Sequence, residues 1–373
     1  MYLEVAAEIA RICRAIGIPV VVGGSYFNEP TIARTWLDIP GISVVVAAEA
    51  ERIIPTIVAA LATGQNVPAL PGIWTPATGV RQVAPPLQDL DSLPFADYSD
   101  FPWHLYPRRI IPMMAGRGCG WGVCTFCSDV STVAGRTYRS RSPANVLDEI
   151  EHQGRKHDAD LFVMLDLKLN SDLEVWRALL DRMPHRRPGA RWTASVHIGR
   201  GENGLSLDEL RAARAAGLVR VTTGLESGSQ HVLNSMAKGT DLERTSRFLK
   251  DAHKAGLSVR TTMIIGYPGE TAADIRKTAE FLALHEPYLE RVMVNRFSIQ
   301  PGTAAAQRIE HSPRKFGALT VGRLDTRNAL LPHRNSATKE SGYFRSVWRV
   351  LSAANRINRK PLRADAQLLE GVM

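Results

Sequence analysis

Three of the chain's four cysteines, Cys119, Cys124 and Cys127, lie within one nine-residue stretch. Glycines alternate with other residues from Gly116 to Gly122, so the backbone can wrap closely around a small group. Clustered thiols are typical of metal ligation, because thiolates select zinc or iron–sulfur clusters. A closed zinc site would need a fourth ligand, and no second Cys-x-x-Cys or His-x-x-His follows. Three thiolates on a 4Fe-4S cluster would leave one iron open for chemistry; zinc and a chance grouping stay as alternatives.

Two later stretches combine glycine with a carboxylate. The first reads GLESGS at 224–229, and its Glu226 needs a ligand or a basic partner, because an unpaired buried carboxylate costs several kcal/mol. A purely structural salt bridge is the alternative for this residue. The second reads GYPGE at 266–270, where glycines would let a flat ring approach the backbone. Free N–H groups at the start of the following helix could bind polar groups of the same ligand.

The cysteine loop resembles the cluster loop of the radical S-adenosylmethionine (SAM) enzymes. Their signature is Cys-x-x-x-Cys-x-x-Cys with an aromatic residue before the last cysteine, here Phe126, although four residues separate Cys119 from Cys124. The GLESGS and GYPGE strings are similar to the family's fourth- and fifth-strand segments. The resemblance implies a 4Fe-4S cluster on the three cysteines, whose open iron chelates SAM. It also implies reductive cleavage of SAM to methionine and a 5'-deoxyadenosyl radical.

The same resemblance assigns other residues to cofactor binding. The residues assigned to SAM are Phe126, Glu226, Ser227, Gly266 and Pro268. Asp166, just after the second predicted strand, matches an acidic position of relatives and is assigned to SAM or substrate, with helix capping as the alternative. His197 and Arg200, after the third strand, are candidates for meeting the SAM carboxylate or an anionic substrate. No residue is assigned to acid–base or nucleophilic catalysis.

A regular alternation of strands and helices from Ile110 to about residue 300 would position these residues. The predicted strands are Ile110–Met114, Leu161–Leu165, Arg191–Ser195, Val219–Thr223, Ser258–Ile265 and Arg291–Phe297. Ser206, Thr240 and Thr271 each precede an acid by three residues, which predicts side-chain caps at helix starts. Six units fall short of the eight of a full barrel. We therefore predict an α/β fold, a (β/α)6 partial TIM barrel over 110–300, which the resemblance also implies.

The regions on either side of the barrel differ in character. Residues 1–75 show an α-β-α-β-α order typical of a Rossmann-like segment. They resemble the second half of the cobalamin-binding domain of one radical SAM subclass, so we interpret them as a truncated domain and cobalamin as a candidate cofactor; a remnant scaffold is the alternative. Residues 76–109 read as a Pro-rich linker. Residues 301–373 read as a basic helical extension, with 13 Lys or Arg against 5 acids.

Composition narrows the class of protein. The chain is 45% apolar without a run long enough to cross a membrane, and its start lacks a basic signal-peptide region, so we predict a cytoplasmic globular protein. The net charge is +9, and the Lys and Arg residues show little clustering. This pattern favours a solvated face or an anionic substrate over nucleic acid. We expect a small-molecule or peptide substrate and an electron donor such as flavodoxin or ferredoxin. Cobalamin-type methyl transfer to an unactivated atom is the leading hypothesis; cobalamin-independent oxidation or rearrangement, and a non-catalytic zinc-binding module, are the alternatives.

Overall fold

The computed structural model describes residues 2–47, 49–128, 138–316 and 318–371. The helices are α1 (Tyr2–Ala15), α2 (Pro30–Leu37), α3 (Ile54–Ala62), α4 (Pro143–His157), α5 (Leu173–Arg186), α6 (Leu207–Ala215), α7 (Gln230–Ser235), α8 (Leu242–Lys254), α9 (Ala272–His285), α10 (Ala304–His311), α11 (Tyr343–Asn358) and α12 (Ala364–Gln367). The strands are β1 (Val20–Gly23), β2 (Ile42–Val46), β3 (Ile73–Trp74), β4 (Ile110–Met113), β5 (Gly116–Arg117), β6 (Arg139–Ser140), β7 (Leu161–Met164), β8 (Arg191–Ser195), β9 (Leu218–Glu226), β10 (Ser258–Ile265), β11 (Arg291–Arg296), β12 (Leu319–Val321) and β13 (His333–Asn335).

Two compact units share the chain. The first draws on the described residues of 2–88, 126–128 and 298–334, and the second on those of 89–125, 138–297 and 335–371. Each unit has its own core of buried apolar side chains.

A six-stranded sheet in the order β11-β10-β9-β8-β7-β4 forms the second unit. Every neighbouring pair in it is parallel. The strands lie side by side in the order in which they occur in the chain. Parallel neighbours need crossover connections, which the intervening helices supply. The predicted α/β fold with a parallel sheet and covering helices is therefore confirmed. Because the strands are parallel, their carboxyl ends meet at one edge of the sheet.

Buried side chains from strands and helices make one continuous core around this sheet. Phe162, Trp192 and Val221 on the strands are each fully buried, as are Trp176 on α5 and Leu282 on α9. Strands β4 and β7 are wholly apolar, as strands buried on both faces usually are, whereas β9 and β10 also carry buried arginine and threonine side chains.

Helix starts follow the predicted capping chemistry at two of three positions. Ser206 and Thr271 each form a capping box with the acid three residues later, as predicted. The third prediction was wrong, since Asp241, not Thr240, accepts the N–H of Arg244 at the start of α8. Asp is as good a cap as Thr, and α8 begins at Leu242.

Helix α11 packs against α9 and β11 and follows β11 as its covering helix. Three of its large apolar side chains, those of Phe344, Trp348 and Leu351, are exposed. The residues buried along α11 are Tyr343, Ser346, Val350, Ala353, Ala354 and Ile357. Small residues on this face let the helix lie close to α9. The positions of the large apolar residues in the sequence do not identify this face.

Three strand arginines converge on one carboxylate at the amino ends of β9, β10 and β11. Glu370 accepts from Arg220 at 2.8 Å, from Arg260 at 3.3 Å and from Arg291 at 3.4 Å. Arg220 is fully buried and also donates to the carbonyl of Ala366 at 2.8 Å. The residues after α11 therefore cover the end of the sheet opposite to its carboxyl edge.

In the first unit, β1 and β2 pair in parallel and β3 pairs antiparallel with β2. The sequence predicted only the first two strands. Ala10, Phe27, Val45 and Trp74 form part of its core. Residues 301–373, predicted as helical, also contain the strands β12 and β13, which form a two-stranded sheet. Nowhere in the described ranges is a helix both long enough and apolar enough to traverse a membrane.

Candidate active site

The cysteine loop starts where β4 ends, at the carboxyl edge of the parallel sheet. Asp166, which follows β7, is buried, and its carboxylate accepts the backbone N–H groups of Ala115 at 3.0 Å and Gly116 at 2.7 Å. Burial raises the pKa of Asp166 to about 6, although these two hydrogen bonds oppose the shift. The alternative that Asp166 caps the next helix is wrong, because Asp172 caps α5. Asp166 instead ties the start of the loop to the neighbouring strand.

Two further contacts hold the loop along its length. The N–H of Gly120 donates to Oγ of Ser171 at 3.1 Å, and the N–H of Thr125 donates to the carbonyl of Met236 at 2.9 Å. Oγ1 of Thr125 lies 2.7 Å from Oη of Tyr267, and that hydroxyl donates to the carbonyl of Ser235 at 3.0 Å. The loop is therefore hydrogen-bonded to the turns after β7 and α7 and to the end of β10.

The thiol of Cys124 lies near a lysine, a carboxylate and the thiol of Cys119. Cys119 and Cys124 are half-buried, and none of the four cysteines is in a disulfide. Burial raises the pKa of the Cys124 thiol; Lys238 is close enough to lower it, and Cys119 and Glu226 are close enough to raise it further. A cation beside cysteines favours the thiolate, which is the form that ligates metal. Cys127, three residues beyond Cys124, is also half-buried.

Within the described ranges no three His, Cys, Asp or Glu side chains are gathered closely enough to hold a metal ion. The chemistry of the loop nevertheless fits a thiolate-bound iron–sulfur cluster. Cys119 and Cys124 are close enough to influence each other's charge, the third cysteine is on the same loop, and the Lys238 ammonium offsets thiolate charge. Residues 129–137, which follow the loop, lie outside the described ranges.

Glu226 ends β9 with its backbone in the left-handed region, at φ +62°. Its Oε1 accepts from Nζ of Lys238 at 2.9 Å and its Oε2 from Oγ1 of Thr262 at 3.2 Å. Both charged side chains are about nine-tenths buried. A Cβ on Gly224 would lie only 2.0 Å from Oε1, so glycine there makes room for the carboxylate. Lys238 is therefore the basic partner that the sequence required for Glu226.

Of the remaining residues predicted to bind SAM, Ser227 follows β9, Gly266 and Pro268 follow the neighbouring strand β10, and Phe126 lies on the cysteine loop. Ser227 is fully buried, with its Oγ 3.3 Å from Oγ1 of Thr278 on α9. Gly266 has φ +88°, and its N–H donates to Oε2 of Glu270 at 2.6 Å. Burial raises the pKa of Glu270 to about 7. Pro268 is buried and Phe126 is half-buried.

His197 does not supply a positive charge. It is buried, and because a carbonyl can only accept, its Nε2–H donates to the carbonyl of Lys238 at 2.8 Å. Burial lowers the pKa of His197 to about 4, so the ring is neutral near pH 7 and its single N–H is already used. The expectation that His197 meets an anionic group was therefore wrong. Arg200, the other candidate, is exposed.

Sequence reasoning missed two residues of this site, Lys238 and Trp121. Lys238 follows Glu226 by twelve residues and belongs to no motif, although the need of Glu226 for a counter-charge indicated that such a residue exists. Trp121 was part of the unusual four-residue spacer, and its indole N–H donates to the carbonyl of Ala237 at 2.9 Å.

Similarity to known proteins agrees with this arrangement. The model of the Radical SAM superfamily matches residues 113–282. An uncharacterized methyltransferase, PH0819, from Pyrococcus horikoshii is 28% identical over 286 residues, 74% of this chain and 60% of the relative. The anaerobic magnesium-protoporphyrin IX monomethyl ester cyclase of Rubrivivax gelatinosus is 29% identical over 294 residues, 74% of this chain and 50% of the relative. The chain thus spans about half to three-fifths of the length of these two proteins.

A solved structure shares the fold. The radical SAM methyltransferase TsrM from Kitasatospora setae, with cobalamin and a [4Fe-4S] cluster bound, has a TM-score of 0.71 and 18% identity, covering 94% of this chain and 76% of that one. At this identity the likeness concerns the fold alone. Enzymes of the matched family use a 4Fe-4S cluster together with SAM. Residues 113–282, which carry the thiol loop at the carboxyl edge of the sheet, therefore match the radical SAM superfamily.

Proposed function

We propose that the chain is an enzyme in which Cys119, Cys124 and Cys127 hold a 4Fe-4S cluster above a (β/α)6 partial barrel. The observation that carries this proposal is the placement of Cys124 near both Cys119 and the Glu226–Lys238 pair, at the edge where parallel strands end. Active sites of parallel α/β folds lie at this edge. When bound, the cluster supplies the electron for reductive cleavage of SAM.

The chain's own residues would bind and orient SAM. Glu226 is held in one position by Lys238 and Thr262, so its carboxylate is available to an amine or a hydroxyl at a fixed place. The Gly266–Pro268 turn offers a backbone that a flat ring can approach, since Gly266 has no side chain and its N–H is held by Glu270. Phe126 and Ser227 complete the proposed SAM set, and Asp166 positions the loop.

Anaerobic reconstitution tests this function directly. The wild-type chain should bind about four irons and four sulfides and, with dithionite and SAM, release 5'-deoxyadenosine. Alanine at Cys119, Cys124 or Cys127 should abolish both results. Cys13→Ala is the matched control and should change neither, because Cys13 lies on α1, outside the cysteine loop. A colourless protein that holds one zinc and does not cleave SAM would contradict the proposal and support the zinc-binding alternative.

We further propose that the reaction is cobalamin-type methyl transfer to an unactivated atom of a small-molecule or peptide substrate. The methyltransferase name of PH0819 and the shared fold with cobalamin-bound TsrM support this version. The three-stranded sheet β1-β2-β3 is the candidate segment for the corrinoid. Growth with hydroxocobalamin should then yield protein that co-purifies with the corrinoid, and its absence from reconstituted, SAM-cleaving protein would exclude this version.

A radical oxidation or rearrangement without cobalamin is the second candidate. It is favoured by the similarity to the Rubrivivax cyclase, whose name describes ring formation, not methylation. Release of 5'-deoxyadenosine without S-adenosylhomocysteine would support it. In either version we expect flavodoxin or ferredoxin to deliver the electron and the reaction to take place in the cytoplasm.

A further inference from the structure

The cysteine loop departs from the family spacing by one residue, and the structure shows what that spacer carries. Gly120, Trp121, Gly122 and Val123 separate Cys119 from Cys124. Trp121 is the large side chain among them that turns inward, while Val123 is exposed. Its indole N–H donates to the carbonyl of Ala237 at 2.9 Å. Its ring also stacks on His197, with centroids 5.6 Å apart and planes 18° from parallel.

The surface under Trp121 is shaped to receive it. Gly239 has φ +71°, and a Cβ at this position would lie 2.1 Å from Cζ2 of Trp121, so any other residue would occupy the space of the indole. Ala237 also has a left-handed backbone, at φ +52°, which is costly for a non-glycine residue. The hydrogen bond from His197 to the carbonyl of Lys238 fixes the plane on which the indole stacks. Three independent features therefore meet at one indole ring.

The same turn connects Trp121 to the charged pair of the site. Residues 236–239 accept a hydrogen bond from Thr125 at Met236 and supply the Lys238 ammonium that binds Glu226. Trp121 and Thr125 lie on either side of Cys124 in the sequence. Cys124 is thus held on both sides to the turn that carries Lys238.

We propose that Trp121 is a positioning residue that docks the cysteine loop onto the turn at 236–239 and sets the distance from Cys124 to Lys238 and Glu226. The extra residue of the spacer gives the loop the length to place an indole there. This inference rests on the proposed function, because the loop is taken as the cluster loop. It adds to it a role for a residue that binds neither iron nor SAM.

Trp121→Ala, Trp121→Phe and the control Trp348→Ala test the inference in reconstituted protein. Trp348 is an exposed tryptophan of α11 and its loss should change nothing. We expect Trp121→Ala to weaken SAM binding about tenfold and to alter the change that SAM causes in the EPR spectrum of the reduced cluster, because a stacking contact and a buried hydrogen bond are lost. Trp121→Phe keeps the stacking and should lie between the alanine variant and wild type.

Gly239→Ala tests the receiving surface without touching the loop. Its control is Gly189→Ala, because Gly189 has a similar backbone, φ +84°, but nothing within 4 Å of an added Cβ. Both substitutions carry the same backbone strain, so only the clash with Trp121 distinguishes them. Gly239→Ala should reproduce the SAM affinity and EPR spectrum of Trp121→Ala, whereas Gly189→Ala should keep those of wild type.

Alkylation of the full chain before cluster loading separates this inference from the proposed function. Mass spectrometry should show Cys124 reacting with iodoacetamide about tenfold faster in Trp121→Ala than in wild type, while Cys13 keeps its rate. If wild type assembles no cluster, the proposed function fails, and the alkylation result still decides whether Trp121 docks the loop. Unchanged Cys124 reactivity in Trp121→Ala, or unchanged SAM affinity and EPR spectrum in a cluster-loaded protein, would overturn the inference.

Discussion

Glu226 combines three properties that rarely occur together in one residue. It is buried, it is paired with a buried lysine, and its backbone lies in the left-handed region. Buried ion pairs give little net stability compared with apolar packing, so a pair retained at the mouth of a site points to a role in binding. Strained backbones also cluster at functional sites. Both arguments support the proposal that Glu226 contacts SAM.

Glu226→Gln removes the carboxylate that neutralises Lys238. We expect the free energy of unfolding to fall by about 3 kcal/mol, because a buried ammonium loses its counter-charge. The double variant Glu226→Gln/Lys238→Met removes both charges and should be more stable than the single variant. Urea denaturation of wild type, Glu226→Gln, Lys238→Met and the double variant measures the coupling; strictly additive losses would mean that the two side chains do not interact.

Glu270 predicts a pH dependence of stability. Its pKa is raised from 4.5 to about 7 in the folded state, so the folded chain binds the proton more tightly than the unfolded chain. Its contribution to the free energy of unfolding is complete below pH 4.5 and is lost as the pH rises through 7. The shift corresponds to about 3 kcal/mol.

Glu270→Gln should therefore flatten the fall of the unfolding free energy between pH 5 and pH 8. Urea titrations at several pH values measure this, with Glu280→Gln on the exposed side of α9 as the control. Equal slopes in wild type and Glu270→Gln would show that Glu270 titrates normally.

At the scale of elements, the cysteine loop is ordered by its neighbours. Its hydrogen bonds run to Asp166, Ser171, Met236 and Tyr267, which follow three different strands of the sheet. A loop fixed at several points needs little reorganisation when it binds a ligand. The parallel sheet therefore contributes to the site by bringing together turns that are far apart in the sequence.

Asp166→Ala leaves two buried backbone N–H groups, those of Ala115 and Gly116, without their acceptor. Hydrogen exchange at these amides should accelerate about tenfold, since each orphaned group costs roughly 1 kcal/mol or more. Peptides covering 110–117, followed by mass spectrometry, give the measurement. Asp181→Ala, at an exposed side chain of α5, is the control and should leave the exchange unchanged.

The sequence predicted the elements well where the chain repeats one pattern. All six strands of the parallel sheet were predicted to within three residues at each end, because apolar runs alternated with capped helices. The two-residue strand β3 and the short strands β12 and β13 were not predicted, since runs this short carry no periodicity.

The candidate site was predicted only as far as its motifs extend. Glycine and cysteine spacing indicated the loop, Glu226 and the Gly266 turn. Lys238, Trp121 and the neutral state of His197 depend on which turns become neighbours in space, and no local pattern encodes that. The exposed Phe344 and Trp348 illustrate the same limit, because helix periodicity does not say which face meets the sheet.

At the scale of the whole molecule, arginines form ion pairs in the interior as well as on the surface. Arg220, Arg260 and Arg291 share Glu370 at the amino ends of their strands, and Arg220 is completely buried. Residues 301–373 carry more basic than acidic residues. The acid Glu370 from this region nevertheless pairs with the arginines of the strands.

Glu370→Gln tests how much this arrangement stabilises the chain. We expect a loss of about 2 kcal/mol in unfolding free energy, because a buried guanidinium loses its counter-charge. Glu243→Gln removes an exposed ion pair with Arg247 and should change stability by less than about 0.5 kcal/mol. Thermal denaturation compares the two; similar small effects would show that Arg220 is satisfied by backbone carbonyls alone.

Strand β11 ends at Arg296, yet its covering helix α11 begins only at Tyr343. Residues 298–334, which lie between them in the sequence, belong to the first unit. A gene fragment that stopped after β11 would leave its buried Val292 uncovered, and a longer fragment would import part of the other unit. A single crossover between homologous genes therefore cannot exchange one unit without dividing the other. We expect the two units to be inherited together.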